Sequence, residues 1–477
     1  MKIRLWLSLV IMFLVLTACA PVAAMPTETP TLTAPPDNAP TRVIIQPPTQ
    51  EPTATFTPEA SPTTEPLTPE QQLTEYLKTE DAQKSIDQFV NAYQLDAETA
   101  ELVRNNFALE ERSSKDGKQY VVALASVPQD NIPLEGQKYA DLYQNIPLMI
   151  AEKEESGEWI WSKATLRKMA DKVGMPIGSL LDLEQPKSLD IAKKEFSVFS
   201  MINIGWMWRE KQQGTINFSW SDKQNQFAKE NNMVPIAQHL VFTEDLPDWV
   251  KKGNFTNEQL TDLLKKHIHD TMSHYPDVEI WSVVNEAWFI NNVNLDFWYS
   301  KLGKDYIKIA FETARQENPS AILCYSDFLN EVPGKRATWN HEIVETLKED
   351  NLIDGLMMHM RINAANPPKK DGLISMMQSY GVPIYITELT VDLINVSGTQ
   401  EKRFLKQAEI YKTIMEAAIE SGVTKSFVMW GIGDSANYLE IMVGKPNADP
   451  TIYDDNLERK PAYYALLQAM FEALPQN

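Results

Sequence analysis

The segment from Ile280 to Phe289 reads IWSVVNEAWF. Its apolar run, interrupted only by Ser282, stops at Asn285-Glu286. A buried strand that ends on an amide and a carboxylate delivers both groups to the place where a sheet meets solvent. The segment from Pro383 to Thr390, PIYITELT, repeats the form, with apolar residues followed by Thr387 and Glu388. Six further apolar runs flank these two, giving eight candidate strands: 174–181, 196–206, 233–242, 278–287, 321–328, 354–360, 383–389 and 425–432. Helical segments separate most of them, among them NEQLTDLLKKHIHDTMSHY and EKRFLKQAEIYKTIMEAAIESG. Eight strand–helix units predict a TIM (β/α)8 barrel, whose sites lie at the C-terminal ends of its strands. The rival, an open doubly wound sheet, calls for a glycine-rich turn after its first strand. No such turn is present, and glycine numbers only 18 in 477 residues.

In a closed barrel the fourth and seventh strands face each other across a narrow mouth, so Glu286 and Glu388 are expected to meet over one ligand. Two carboxyl groups about 5 Å apart suit retaining glycoside hydrolysis. One protonates the leaving oxygen, the other attacks the anomeric carbon, and the first then activates water. A single strand-end Glu more often caps a helix or pairs with a surface cation. Two of them, on strands four and seven and each after a polar residue, favour the catalytic reading.

The motifs then resemble those of a known family. WSVVNEAW is similar to the W-D-V-V-N-E-A signature of glycoside hydrolase family 10, the β-1,4-xylanase family, and ITELTVD resembles its nucleophile motif I-T-E-L-D. LRKMADKVGMPIG, CYSDF, MWGIGDSANY and IYDDNLERKPAYYAL follow in the family's order. The resemblance implies that Glu286 is the acid/base and Glu388 the nucleophile. Asn285 would bond the sugar 2-hydroxyl, His359 would bond Glu388, and Trp430 and Tyr438 would wall the sugar rings. It implies no cofactor and no metal.

Other family positions are changed. The E-N-x-M-K-W segment after the second strand aligns with MINIGW, where only Trp206 survives, beside Met201 and near Trp208 as an apolar floor. The G-H-T-L-V-W-H segment aligns with AQHLVFT. Gln238 stands for the first His, Thr243 for the second, and strand alternation turns His239 to the other face. Ser282 and Thr390 replace two Asp residues of the motifs. Each lost polar contact is worth roughly 1–3 kcal/mol. The expected function is therefore a retaining endo-β-1,4-glycanase acting on xylan or a related β-1,4-linked polysaccharide. The alternatives are altered sugar specificity and a weakened, glycan-binding lipoprotein. A metal-hydrolase reading of HIHDTMSH is disfavoured, because His267 and His269 are two apart on a helix and read as solvated.

Upstream, Lys2 and Arg4 precede a short apolar run and LTAC, which resembles a bacterial lipoprotein signal with Cys19 as the lipidated residue. An ordinary cleaved signal or an uncleaved anchor are the other readings. Residues 1–19 are thus a signal peptide, and 20–69 a Pro/Thr-rich disordered linker. Residues 70–163 form a small α+β accessory domain, and 164–477 the barrel. In the accessory segment, helices are expected over TPEQQLTEYLKTEDAQKSIDQFVNAY and DAETAELVRNNFAL, followed by two or three strands. The cell surface, through a lipid anchor in the membrane, is the expected location, and a monomer the expected state. A formal charge of −21 argues against nucleic acid as a partner. Cys324, the only other cysteine, reads as an inert core thiol.

Overall fold

A computed structural model describes residues 67–475, apart from 115, 203, 288–294, 437, 438, 440–443, 445 and 446. The signal segment with Cys19, the linker as far as residue 66, and Tyr438 lie outside the described residues. Among the described residues no helix is long and apolar enough to cross a membrane.

The chain begins with helices Pro69–Tyr76, Glu80–Ala92 and Ala97–Asn105, each capped by the side chain of Thr68, Thr79 or Asp96. Capping of this kind satisfies amides that the first turn leaves without a partner. An antiparallel meander follows: β1 (Phe107–Ser113), β2 (Gln119–Ala125), β3 (Ile146–Lys153) and β4 (Trp159–Lys163). The third helix was expected to continue through Leu109. It stops at Asn105 because Phe107–Ser113 is drawn into register with β2, which adds a strand to the sheet.

The larger part is a closed, all-parallel barrel of β5 (Ile177–Leu180), β6 (Val198–Met201), β7 (Val234–Ala237), β8 (Ile280–Asn285), β9 (Ile322–Phe328), β10 (Gly355–Asn363), β11 (Ile384–Asp392) and β12 (Thr424–Met429). All eight fall within or across the expected runs. Strands buried on both faces read as continuous apolar segments rather than alternating ones, and β8 is buried from Trp281 to Asn285. Entry to the barrel is marked by Thr165, which caps helix Leu166–Val173, and by Gly174, whose φ of 66° ends that helix in the left-handed region. Helix Pro461–Glu472 closes the chain and is buried along nearly its whole length.

Several strand ends differ from expectation and matter for the site; the third barrel strand stops at Ala237, well short of 242. The second barrel strand stops at Met201, and Trp206 begins a short helical turn, Trp206–Arg209. The sixth runs to Asn363 and pairs with an equally extended seventh, Arg361 opposite Thr390 and Asn363 opposite Asp392.

Candidate active site

Glu286 directly follows β8, and its backbone N–H donates to Ser326 O at 2.9 Å. Glu388 lies within β11, where the pairing with β12 shifts between Ile386 and Leu389. Such bulges re-aim side chains. Both residues have positive φ, 47° at Glu286 and 53° at Glu388. For a non-glycine residue this is uncommon and gathers at functional sites.

The two carboxylates converge on one ring. His359 Nδ1, on β10, lies 3.2 Å from Glu286 Oε1 and 3.6 Å from Glu388 Oε2. Those two distances together bound the carboxylate oxygens to no more than about 7 Å apart, a span that admits the roughly 5 Å separation of a double displacement. Glu286, Asn285, His359 and Glu388, all picked from the sequence, are thus brought together and buried. Glu388 also carries a residue the sequence reading missed, Arg361, whose guanidinium meets Oε2. Burial alone would raise the Glu388 carboxyl; the His359 ring and the Arg361 guanidinium overcome that and hold it well below the usual carboxylate range. It is therefore ionised.

His239 is a second omission. Strand alternation was expected to turn it away, but β7 ends at Ala237, so alternation no longer governs position 239. Its Nε2 lies 3.6 Å from Glu388 Oε1. A chain of hydroxyls holds that ring in place. Ser326 Oγ donates to Asn285 Oδ1 at 2.8 Å. Ser282 Oγ lies 2.5 Å from Ser326 Oγ. Ser282 Oγ is in turn hydrogen-bonded to His239 Nδ1 at 2.8 Å. The other ring nitrogen, Nε2, is thereby turned to Glu388. Asn285 is oriented by the same chain. With Oδ1 occupied, its amide nitrogen is left to donate to a ligand hydroxyl. Ser282, noted in the sequence as a departure from Asp, is the pivot of this network.

Below Glu286, Asp327 accepts from Tyr325 Oη at 2.8 Å, Asn340 Nδ2 at 2.9 Å and Arg336 Nε at 2.8 Å. Tyr325 Oη in turn accepts from Ala287 N at 3.3 Å, next to Glu286. Glu331, after β9, is 4% exposed, and burial pushes its carboxyl up to about 7. Cys324 is fully buried and its thiol is raised by that burial, as a core thiol should be.

The proposed wall is less complete. Trp206 is not a floor for ligand: it is 3% exposed, stacked on His267 at 4.3 Å, with Nε1 donating to Glu210 Oε2 at 2.9 Å. The helical turn that starts at Trp206 tucks the indole inward, where a longer strand would have turned it out. Met201 is buried as well, while Trp208 is exposed. Gln238 is fully buried between β6 and β7, its Oε1 accepting from Ser200 Oγ at 2.5 Å and its Nε2 without a partner among the described residues. Trp430, half-buried, follows β12, and its backbone N–H donates to Leu389 O, one residue past the nucleophile. A cavity of about 290 Å³ opens at this end of the barrel, lined among others by Leu181, Leu183, Ile202, Trp220 and Ile432. His267 is not solvated as expected but buried, with Nε2 on Leu240 O at 2.8 Å, and His269 instead meets Glu317. The pair does not converge. The motif residues Asp434 and Lys460 form a buried ion pair at 2.9 Å, a brace behind the site rather than part of it.

Comparison with known proteins follows this geometry. The sequence matches the profile of glycosyl hydrolase family 10 over residues 165–469. Endo-1,4-beta-xylanase B of Thermotoga neapolitana is 29% identical over 326 residues, covering 65% of this chain and 93% of that protein. Endo-1,4-beta-xylanase A of Thermotoga maritima is 31% identical over 333 residues, which is 64% of this chain but only 30% of that longer protein. Among solved structures, native xylanase 10B from Thermotoga maritima superposes with a TM-score of 0.61 at 28% identity, covering 65% of this chain and 98% of its own. Xylanase 10B from Thermotoga petrophila RKU-1, solved in complex with xylobiose, gives 0.61 at 27% identity with the same coverage.

Proposed function

The chain belongs to glycosyl hydrolase family 10, and from that premise we propose that it is a retaining endo-1,4-β-xylanase. The observation that carries this reading is the pair Glu286 and Glu388 converging on His359 Nδ1, with the Glu388 carboxyl held ionised. Glu388 attacks the anomeric carbon of the sugar at the point of cleavage. Glu286 protonates the departing oxygen, then takes a proton from the water that releases the glycosyl-enzyme. The free Asn285 amide nitrogen donates to a hydroxyl of the same sugar, a contact that stabilises most where it tightens in the transition state.

The roles separate experimentally. Glu286→Gln is expected to lower kcat on xylan by about 10²–10⁴-fold, the usual share of a general acid. On aryl xylosides with activated leaving groups, which depart without a proton, the glycosylation step is expected to survive. Glu388→Gln is expected to remove turnover on both. Wild-type-like rates in Glu388→Gln, or loss of the retained anomeric configuration in products followed by NMR, would refute the assignment.

One observation favours a changed sugar preference over plain xylan. Where the family motif carries a polar set after the second strand, this chain has Met201 and Trp206, both buried, and Ile202, which lines the cavity. A panel of xylan, arabinoxylan, mixed-linkage glucan and cellulose, scored by reducing-sugar release, separates these readings. Release from none of them would support the glycan-binding alternative. The lipoprotein-type N-terminus and the Pro/Thr-rich linker support a lipid anchor at Cys19 and a position at the cell surface, with the catalytic part tethered as a monomer. Metabolic labelling with a tagged fatty acid, lost in Cys19→Ala, tests the anchor.

A further inference from the structure

The donor atoms of His239, His359 and Glu388 all lie within 4.8 Å of one another, and all three residues are buried. We propose that these three side chains form a binding site for a borderline divalent transition-metal cation, Zn²⁺ or Cu²⁺, which closes the catalytic site by occupying its nucleophile. The inference concerns binding and does not depend on which glycan is cleaved.

The geometry carries it in three steps. First, His239 Nε2 faces Glu388 Oε1 at 3.6 Å, with its far nitrogen held by Ser282. A cation between the two takes the place of the proton that a ring N–H would share with the carboxylate. Second, His359 Nδ1 lies 3.6 Å from the other oxygen of the same carboxylate. Bonds of about 2.0–2.1 Å in a tetrahedral zinc site place neighbouring donor atoms about 3.4 Å apart, so these two gaps need little closing, and the wider spacings, within 4.8 Å, must draw in. Third, Ser282 anchors the far nitrogen of His239 at 2.8 Å, the kind of outer contact that fixes a ligand's tautomer and raises its basicity. A further atom is in place for the same purpose. His359 Nε2 is buried without a partner among the described residues, and with Nδ1 on a metal it would carry the proton.

Two imidazoles and one carboxylate select borderline cations over the hard ones, Mg²⁺ and Ca²⁺, which take oxygen ligands. Arg361 opposes the metal. Its guanidinium already pairs with Glu388, so it lowers affinity by charge repulsion. That gives the proposal a signature that a generally disrupted site would not show.

Titration calorimetry with ZnCl₂ on the tag-free full-length chain is expected to show one equivalent bound, with no heat from MgCl₂ at equal concentration. Co²⁺ should bind at the same site and give visible d–d bands. His239→Ala should weaken Zn²⁺ binding at least tenfold. Ser282→Ala should weaken it about 10–100-fold, the range for an outer-shell contact. Arg361→Met should tighten it. Circular dichroism and melting curves establish that each variant is folded before its affinity is read. Absence of a saturable single equivalent in wild type, equal affinity in His239→Ala, or weaker binding in Arg361→Met would each overturn the site. Because the readout is binding, failure here leaves the hydrolase assignment standing, and failure of hydrolysis leaves this site open to the same measurement.

Discussion

Glu388 sits in a buried place that by itself favours the protonated form, and two neighbours reverse that preference. Arg361 is the partner whose charge does not depend on pH, since a guanidinium stays protonated throughout. Replacing it by Met is expected to raise the nucleophile's pKa. The acid limb of the kcat/KM profile should move up by about 1–3 units, the usual influence of one adjacent opposite charge. An unchanged acid limb would show that the histidines, His359 and His239, set the charge without it. Stability carries the same sign. A carboxyl whose folded pKa is depressed contributes stability that is full above its unfolded pKa, near 4.3, and is lost as pH falls through the folded value. Melting temperatures followed downward from about pH 5 should therefore drop more steeply in wild type than in Arg361→Met. The sequence exposed Glu286, Asn285 and Glu388 because each sits where an apolar run ends in polar residues, whereas His359, between Met358 and Met360, was reached only through the resemblance to the family. Arg361 was hidden by one wrong boundary. With the sixth strand ending at 360 it counted as loop, whereas on a strand that continues it shares a face with His359, two residues away. His239 was hidden by the opposite error, alternation carried past the end of β7.

At the scale of elements, β8 and β9 act as one support for the acid/base. Asp327 is fully buried, and its charge is compensated by Arg336, by Tyr325 Oη and by Asn340. Burial raises its carboxyl even so, with Arg336 pulling the other way. Breaking a buried pair by removing one partner costs about 3–5 kcal/mol, because the other charge is left without compensation. Arg336→Met is expected to lower stability by that amount in denaturant titration. It should also reduce kcat on substrates that need protonation of the leaving group, since Tyr325 Oη holds the backbone next to Glu286. Full stability in this variant would mean that Asp327 is neutral in the fold. The eight strands were legible because burial on both faces leaves nearly pure apolar runs. Their ends were not, because bulges and paired extensions are set by the neighbouring strand. β10 and β11 lengthen each other through pairs from Arg361–Thr390 to Asn363–Asp392, and no local signal in either sequence announces that.

At the scale of the molecule, the last helix connects the small sheet to the barrel. Pro461–Glu472 is apolar around its circumference, and a helix of that kind must be buried on all sides. The barrel covers part of it. The N-terminal segment covers more: Phe89 packs edge-on against Tyr464 at 5.3 Å, Arg112 lies over the Phe471 ring, and Gln468 Nε2 donates to Asp141 O and Gln144 O at 2.8 Å. The sequence of this helix, KPAYYALLQAMFEAL, already carried the signal for a second covering layer, although nothing in it named residues 70–163 as that layer. The segment then has a structural role that requires no chemistry of its own. Phe89 is fully buried, so Phe89→Ala is expected to destabilise the fold by about 3–5 kcal/mol. If the sheet braces the barrel, that loss should appear in a single cooperative transition, with xylanase activity and tryptophan fluorescence melting together at a lower temperature. Early loss of the small sheet, with the activity midpoint unmoved, would instead mean that the barrel is stable without its cover. Deleting residues 67–163 would uncover Phe471 and Tyr464 at once, so the same argument predicts that the isolated barrel aggregates even though it retains every residue of the catalytic site.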